Sequence, residues 1–214
     1  VITTACPPDA PALPPAAVHT GAVSYSDVPR NTHQPYVFEG EEAYTHSAFV
    51  ASETCRFLDG IGETPFVAIA GFYAPPTPLN PPRRFVELLD PDKAPWPIDF
   101  EAARDAGPFK GMRDDEIRTM VAYYHALCAH VDDCVGQILD ALEATGKADD
   151  TIVIFTSDHG EFLGDHGRIQ KGMPGHRCIA NVPFIIRYPG RVRGGRAVDG
   201  IVEGVDLVPT ILDY

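Results

Sequence analysis

The feature that most constrains the fold of this chain is a short apolar run, Thr151 to Phe155, which gives way to the polar cluster Asp158-His159-Gly160. A β-branched run of this length is typical of a buried strand in a parallel sheet, and open α/β sheets hold their sites at the carboxyl ends of strands. Adjacent carboxylate and imidazole groups are plausible ligands for one divalent metal, and the glycine allows close approach of other backbone or a ligand. A polar turn with an Asp N-cap is the alternative, which the pair taken alone favours.

Two helix-then-strand units precede this point. The first is a predicted helix over Glu41 to Asp59 followed by an apolar run of strand length, Phe66 to Phe72. The second is a helix over Asp114 to Thr145, whose apolar residues recur every three or four positions, followed by the strand already described. A further strand over Val182 to Tyr188 and a short helix over Asp206 to Asp213 come after the polar cluster. This order predicts an α/β fold with a largely parallel sheet and helices on both faces.

The remaining segments lack this periodicity. Residues 1–40 are rich in Pro, Ala and Thr, which indicates an irregular connector, so residues 41–214 are predicted to be part of one domain. Tyr73 to Pro82 holds too many prolines for a helix or central strand and is expected to be a rigid loop beside the same crevice or a surface connector. Pro91 to Phe109 is also irregular, and we weigh it as a segment that could face a substrate.

Composition excludes several classes of partner. The formal charge of −13, from 17 basic and 30 acidic residues, argues against nucleic acid, whose phosphates such a surface repels. No apolar run approaches the length of a membrane-spanning helix. An anionic small substrate would need a local metal ion or lysine to offset the negative field.

Five cysteines form neither a CxxC pair nor a zinc-ligand spacing, and their scatter leans towards reduced, packed thiols. The first residues lack the basic and apolar regions of a secretory signal. Because the chain starts without Met, a removed leader stays open. Localisation, cytoplasmic or exported, is therefore left open. The formation of a homo-oligomer is left open as well.

Polar residues of the long helix are assigned no role in a site. His125 and His130 lie off its apolar stripe and five residues apart, so they do not share the face that an i, i+4 ligand pair needs. We expect both to be solvated or capping, and Asp132-Asp133 to lie on the wet side of the helix.

The segment Tyr123 to Gly167 resembles the sulfatase family of the alkaline phosphatase superfamily, as do Lys171-Gly172, Val182 to Gly190 and Asp206 to Thr210. Several segments in the right order, over most of the chain from Glu41 onward, outweigh the turn interpretation of the Asp-His pair. The resemblance implies a metal-dependent hydrolase of sulfate esters on an alkaline-phosphatase-like fold. Phosphate and phosphonate esters are the related alternative substrates.

The resemblance also implies roles for particular residues. Asp158 and His159 correspond to metal ligands, and Lys171 corresponds to the catalytic lysine that contacts the sulfate group and the leaving-group region. The resemblance implies calcium as the ion. Manganese and zinc are alternatives, because an imidazole is one of the ligands. Such an ion and a lysine would both stabilise negative charge in the transition state. His166 and His176 are left outside the site, and His166 is expected to order its turn by hydrogen bonding.

Departures from the family's pattern limit what the chain is expected to do alone. The C/S-x-P/A-x-R motif, which matures to the formylglycine nucleophile, and the amino-terminal Asp-Asp metal pair are absent from the sequence. Pro76 replaces a histidine that contacts sulfate, and Cys178 and Asn181 stand where Glu and Arg are common. We expect an internal part of a sulfatase-like protein that is inactive by itself and binds metal weakly. A non-catalytic binding module is the alternative from another class.

Overall fold

A computed structural model describes residues 35–105, 107–173 and 175–214. Its helices are α1 (His46–Gly60), α2 (Arg83–Val86), α3 (Asp114–Ala144), α4 (Arg177–Ala180) and α5 (Leu207–Asp213), and its strands are β1 (Val153–Thr156) and β2 (Phe184–Arg187). The three predicted helices are thereby confirmed with shifted ends, as are the strands predicted at 151–155 and 182–188. Most of the predicted connector, residues 1–34, lies outside the described residues.

The ends of α3 follow from its sequence. The carboxylate of Glu116 accepts a hydrogen bond from the backbone N–H of Arg113 at 2.8 Å, which satisfies one free amide of the first turn. At the other end Gly146 has a φ of 72°, and the N–H of Lys147 reaches back to the carbonyl of Leu142 at 3.1 Å. This left-handed glycine closes the helix as a Schellman turn does. Although α3 has 31 residues, neither it nor any other described helix is apolar enough to cross a bilayer.

The main core lies between α3 and the irregular segment before it. Phe100 and Phe109 meet edge to face, with ring centroids 4.8 Å apart, and each is 1% exposed. They pack in one cluster with Ile117 and Met120 of α3, which are 0% and 1% exposed. The segment Pro91 to Phe109, weighed above as a substrate-facing excursion, is therefore largely a covering layer for α3.

One side of α3 that the sequence pattern marked as wet is in fact covered. His130 is 1% exposed, so its prediction as solvated or capping is wrong, whereas His125 is exposed as expected. The ring of Phe85 in α2 lies 4.8 Å from that of His130, and the hydroxyl of Thr45, at the start of α1, lies 3.4 Å from its Nε2. Two elements distant in sequence bury this histidine, which helical spacing alone does not reveal.

The sheet differs from the prediction. In the described residues β1 pairs with β2 in antiparallel register, Val153 opposite Arg187 and Thr156 opposite Phe184, so the predicted parallel sheet is not seen. A parallel pair needs a crossover, usually a helix, whereas the described residues between β1 and β2 form only the four-residue α4 and a short 3-10 helix, Asp165–Gly167. The predicted strand over Phe66 to Phe72 is wrong in this structure, because the described part of the chain gives it no strand partner.

Candidate functional site

Asp158 and His159 follow directly on the end of β1, as the sequence predicts. The backbone N–H of His159 donates to Oδ1 of Asp158 at 2.9 Å, and the hydroxyl of Ser157 donates to the carbonyl of His159 at 2.9 Å. These local bonds fix the turn and leave the second carboxylate oxygen, Oδ2, for other contacts. The side chain of Asp158 is 82% exposed and that of His159 is 24% exposed.

Gly160 occupies a position that admits no side chain. A Cβ atom there would lie 1.9 Å from the carbonyl oxygen of Cys178, and the N–H of Gly160 donates to the carbonyl of Ile179 at 2.8 Å. The expectation that this glycine permits close approach of other backbone is confirmed. The contact joins the turn after β1 to α4.

Lys171 lies against His159. Its Nζ is 2.7 Å from Nε2 of the imidazole, while Nδ1 of the same ring is 2.8 Å from the carbonyl oxygen of Gly160. A carbonyl oxygen only accepts, so Nδ1 carries the ring proton and Nε2 presents its lone pair to the ammonium group. This tautomer is the one in which Nε2 is able to bind a metal ion.

Asp158 and His159 offer a carboxylate oxygen and an imidazole nitrogen to a divalent ion. Oδ2 of Asp158 lies 3.4 Å from Nε2 of His159, and two adjacent ligands of one ion are separated by roughly 3.0–3.4 Å at ordinary ligand distances. The two residues therefore fit neighbouring positions around one ion. Among the residues that the structure describes, no group of three or more His, Cys, Asp or Glu side chains could complete such a site.

A small depression adjoins the site and includes a residue that the sequence reasoning missed. Glu161 lines it together with Pro76 and Thr77 of the proline-rich loop and Tyr124 of α3. Burial raises the pKa of the Glu161 carboxyl group, and burial, with some contribution from Cys128 and Glu161, also raises the pKa of Tyr124. The loop thus reaches the segment that follows His159, although Asp158, His159 and Lys171 do not line the depression. Glu161 was detectable only as the continuation of the Asp-His-Gly motif.

His166 and His176 lie next to each other. Nδ1 of His166 is 3.2 Å from Oδ2 of Asp99, a residue outside its own turn, so the role of this side chain in ordering the turn stays a prediction. Its ring stacks on that of His176, with centroids 4.1 Å apart and an interplanar angle of 27°.

Comparison with known proteins places these residues in a family context. A model of the sulfatase family matches residues 17–214. A multifunctional alkaline phosphatase superfamily protein, PehA, from Trinickia caryophylli is 32% identical over 213 residues, which cover 87% of this chain and 41% of the relative. An arylsulfatase from Clostridium perfringens is 31% identical over 189 residues, covering 81% of this chain and 39% of the relative.

The solved structures agree in fold. The crystal structure of a phosphonate monoester hydrolase from Agrobacterium radiobacter matches with a TM-score of 0.76 and 27% identity, over 88% of this chain and 44% of that one. The fold is thus of the alkaline phosphatase type. The chain spans less than half the length of each of these three relatives.

Proposed function

The chain belongs to the sulfatase family, and from this premise we propose that the full-length protein is a hydrolase that cleaves sulfate esters with the help of one divalent metal ion. The observation that carries the proposal is the convergence of three side chains at the end of β1. Nζ of Lys171 lies 2.7 Å from Nε2 of His159, and Oδ2 of Asp158 lies 3.4 Å from the same nitrogen. A carboxylate, an imidazole lone pair and an ammonium group thus face one small volume.

Asp158 and His159 would hold the ion, for which calcium is the first choice and manganese or zinc the alternatives. The carboxylate supplies an anionic oxygen and the imidazole a neutral nitrogen, a mixed set that zinc and manganese tolerate well. When bound, the ion would polarise the oxygens of the ester. The nucleophile and the other ligands are to be sought outside these 214 residues, because the formylglycine motif and the Asp-Asp pair are absent from this sequence.

Lys171 would bind the ester's charged group. Its ammonium group is a mobile point charge on a flexible stem, and Gly172 follows it directly. Nε2 of His159 has one lone pair, so it would serve either Lys171 or a metal ion. With the ion held by Asp158 and His159, Nζ of Lys171 would donate to an ester oxygen and stabilise negative charge in the transition state. The net charge of −13 makes such a local cation necessary for an anionic substrate.

We place this site in residues 41–214 as part of one catalytic domain, in which β1 would belong to a larger, mainly parallel sheet. The apolar composition of β1 supports this, since strands of parallel sheets are apolar on both faces.

A phosphonate monoester hydrolase or phosphodiesterase is the second candidate. The hydrolase from Agrobacterium radiobacter with the TM-score of 0.76 acts, by its name, on phosphonate monoesters, and the relative from Trinickia caryophylli is described as multifunctional. Pro76 stands where a histidine that contacts sulfate is common in the family, and this change also favours an ester other than a sulfate as the substrate.

Turnover of an aryl sulfate and an aryl phosphonate monoester by the full-length protein, measured side by side, tests the proposal. We expect sulfate hydrolysis to be the faster reaction and to stop when a chelator removes the metal. Lys171→Ala should lower kcat/KM by about a hundredfold or more, because one preorganised charge contact to the transition state is lost. Lys110→Ala removes an exposed lysine elsewhere and serves as the matched control.

The outcomes separate the candidates. Preference for the phosphonate ester would replace the first candidate by the second. Failure to hydrolyse either ester, with the chain correctly folded, would support a non-catalytic binding module instead.

A further inference from the structure

One segment of this acidic chain carries only positive charge. Residues 166–198, which we call the basic segment, contain seven of the 17 Lys and Arg residues and none of the 30 Asp and Glu residues. The rest of the chain therefore holds ten basic and 30 acidic side chains, and the formal charge of −13 is the sum of two regions of opposite sign. Such segregation decides which surface an anionic partner approaches, because the field of the acidic region repels it.

The seven cations of the basic segment are exposed, and in the part of the chain that the structure describes none of them pairs with a carboxylate. The ion pairs of Arg and Lys found there all lie between residues 39 and 133. Arg168 and Arg187 donate instead to backbone carbonyls, those of Met173 at 3.0 Å and Ala148 at 2.8 Å. Since a carbonyl group has no net charge, the guanidinium charge stays available to an anion.

The basic segment reaches from the candidate site to the opposite end of the strand pair. Near the site lies α4, which begins with Arg177, and the N–H of Gly160 donates to the carbonyl of Ile179 in this helix at 2.8 Å. The antiparallel register places the start of β2 beside the end of β1, and Arg187 is the last residue of β2. At about 3.3 Å per residue, Arg187 lies about 10 Å along the strand from that end of β1.

A loop rich in arginine continues the basic segment beyond β2. This arginine loop, residues 190–196, holds Arg191, Arg193 and Arg196, which are all exposed. The N–H of Val192 donates to the carbonyl of Tyr188 at 2.8 Å, so the loop turns directly after the strand. A single ester group at the candidate site is too short to reach these side chains. An extended molecule with several anionic groups is long enough.

We propose that the basic segment is a docking surface for a flexible chain that carries several sulfate groups, which binds along β2 and the arginine loop and places one sulfate ester at Lys171. Arginine suits this partner because its planar guanidinium group donates two parallel hydrogen bonds to the oxygens of one anionic group. The choice of sulfate and the placement at Lys171 rest on the proposed function, whereas the binding of an anionic chain does not. A DNA duplex is broader and would also meet acidic side chains such as Asp199 and Glu203, which repel phosphates.

Fluorescence anisotropy of labelled dextran sulfate with the full-length protein tests the proposal, and unsulfated dextran serves as the blank. The loop variant carries three substitutions, Arg191→Gln, Arg193→Gln and Arg196→Gln. We expect it to bind dextran sulfate roughly tenfold more weakly than the wild type, because three exposed charge contacts are lost. The affinity of the wild type should also fall as the salt concentration rises, and that of the loop variant should fall less steeply.

A control variant separates the basic segment from net charge. It also loses three positive charges, at arginines that already pair with carboxylates in other parts of the chain, Arg56→Gln, Arg83→Gln and Arg113→Gln. We expect its affinity to stay within about twofold of the wild type, since salt screens charges that lie outside the contact surface. Equal losses of affinity in the two variants would overturn the proposal.

The remaining outcomes concern the partner. No binding of dextran sulfate by the wild type would overturn the docking surface, and equal affinity for a DNA duplex would overturn the choice of a sulfated chain. Binding in the expected pattern by a protein that hydrolyses no sulfate ester would support the docking surface and contradict the proposed function alone.

Discussion

The helical layer and the strand layer of this chain bury their apolar side chains to very different extents. In the helical layer, which consists of α1, α3 and residues 91–109, Ile117 is 0% and Phe109 is 1% exposed. In the strand layer, which consists of β1 and β2, Phe155 is 41% and Ile185 is 59% exposed. The helices thus find their partners within the described residues, whereas the strands present apolar side chains without cover from them.

The layer that buries most apolar surface is therefore not the layer that holds the candidate site. The candidate site lies at the end of β1, in the less buried layer, so packing beneath the sheet contributes little to its geometry in this structure. Its shape comes instead from local hydrogen bonds and from the contact of Gly160 with Cys178. Apolar strands of this kind are typical of a sheet covered on both faces, and the relatives are more than twice as long as the matched region.

The largest expected effect contrasts the two layers. Ile117→Ala should lower the free energy of unfolding by about 2–5 kcal/mol, because it opens a cavity in the helical core, whereas Ile185→Ala should change it by less than about 0.5 kcal/mol. Urea unfolding of the 214-residue chain, followed by circular dichroism, measures both. Equal losses would mean that the strand layer is as well packed as the helical one.

A glycine pair tests the turn that carries the site. Gly160→Ala forces a Cβ atom into the carbonyl of Cys178 and should destabilise the chain by about 1–3 kcal/mol. Gly136→Ala, inside α3 with open space around it, should stabilise it by about 0.5–1 kcal/mol through helix propensity. Thermal unfolding of the two variants measures both changes in stability. No loss of stability in Gly160→Ala would show that α4 is free to shift away.

The smallest expected effect concerns His130 and pH. Burial lowers the pKa of its imidazole in the folded chain, so the unfolded chain, with a pKa of about 6.5, takes up the proton first as pH falls. The stability owed to the neutral ring is therefore complete above about pH 6.5 and decreases below it, before the carboxylates of Glu42 and Asp133 titrate. His130→Phe should flatten the profile of unfolding free energy between about pH 7 and pH 5, and His125→Phe should not. A wild-type profile already flat in this window would refute the effect.

Whether a feature could be predicted from the sequence depends on how far apart in the chain the interacting residues lie. The limits of α3 were predictable because its periodicity, Glu116 and Gly146 act within one or two turns. The burial of His130 was not, because Phe85 and Thr45 arrive from 45 and 85 residues away in sequence. The antiparallel pairing of β1 with β2 also escaped prediction, since an apolar strand gives no direction for its neighbour.

The site shows the same limit. The positions of Asp158, His159 and Lys171 were assigned from motif resemblance, and their metal and substrate roles stay predictions. What the sequence could not supply is that Lys171, twelve residues on, contacts Nε2 of His159, or that Glu161 lines a depression with the proline-rich loop. Both depend on how the segment after Gly160 turns back on itself.

Titration of the chain with Mn²⁺, followed by residue-specific paramagnetic broadening of its NMR signals, tests the central claim most directly. The account predicts that the signals of Asp158, His159 and Lys171 broaden first, with weak affinity, because two ligands make only part of a metal site. Asp158→Asn should abolish this broadening, and Asp132→Asn, at an exposed carboxylate of α3, should leave it intact. Broadening that begins elsewhere on this acidic surface, or that survives Asp158→Asn, would contradict the assignment of the metal site to the end of β1.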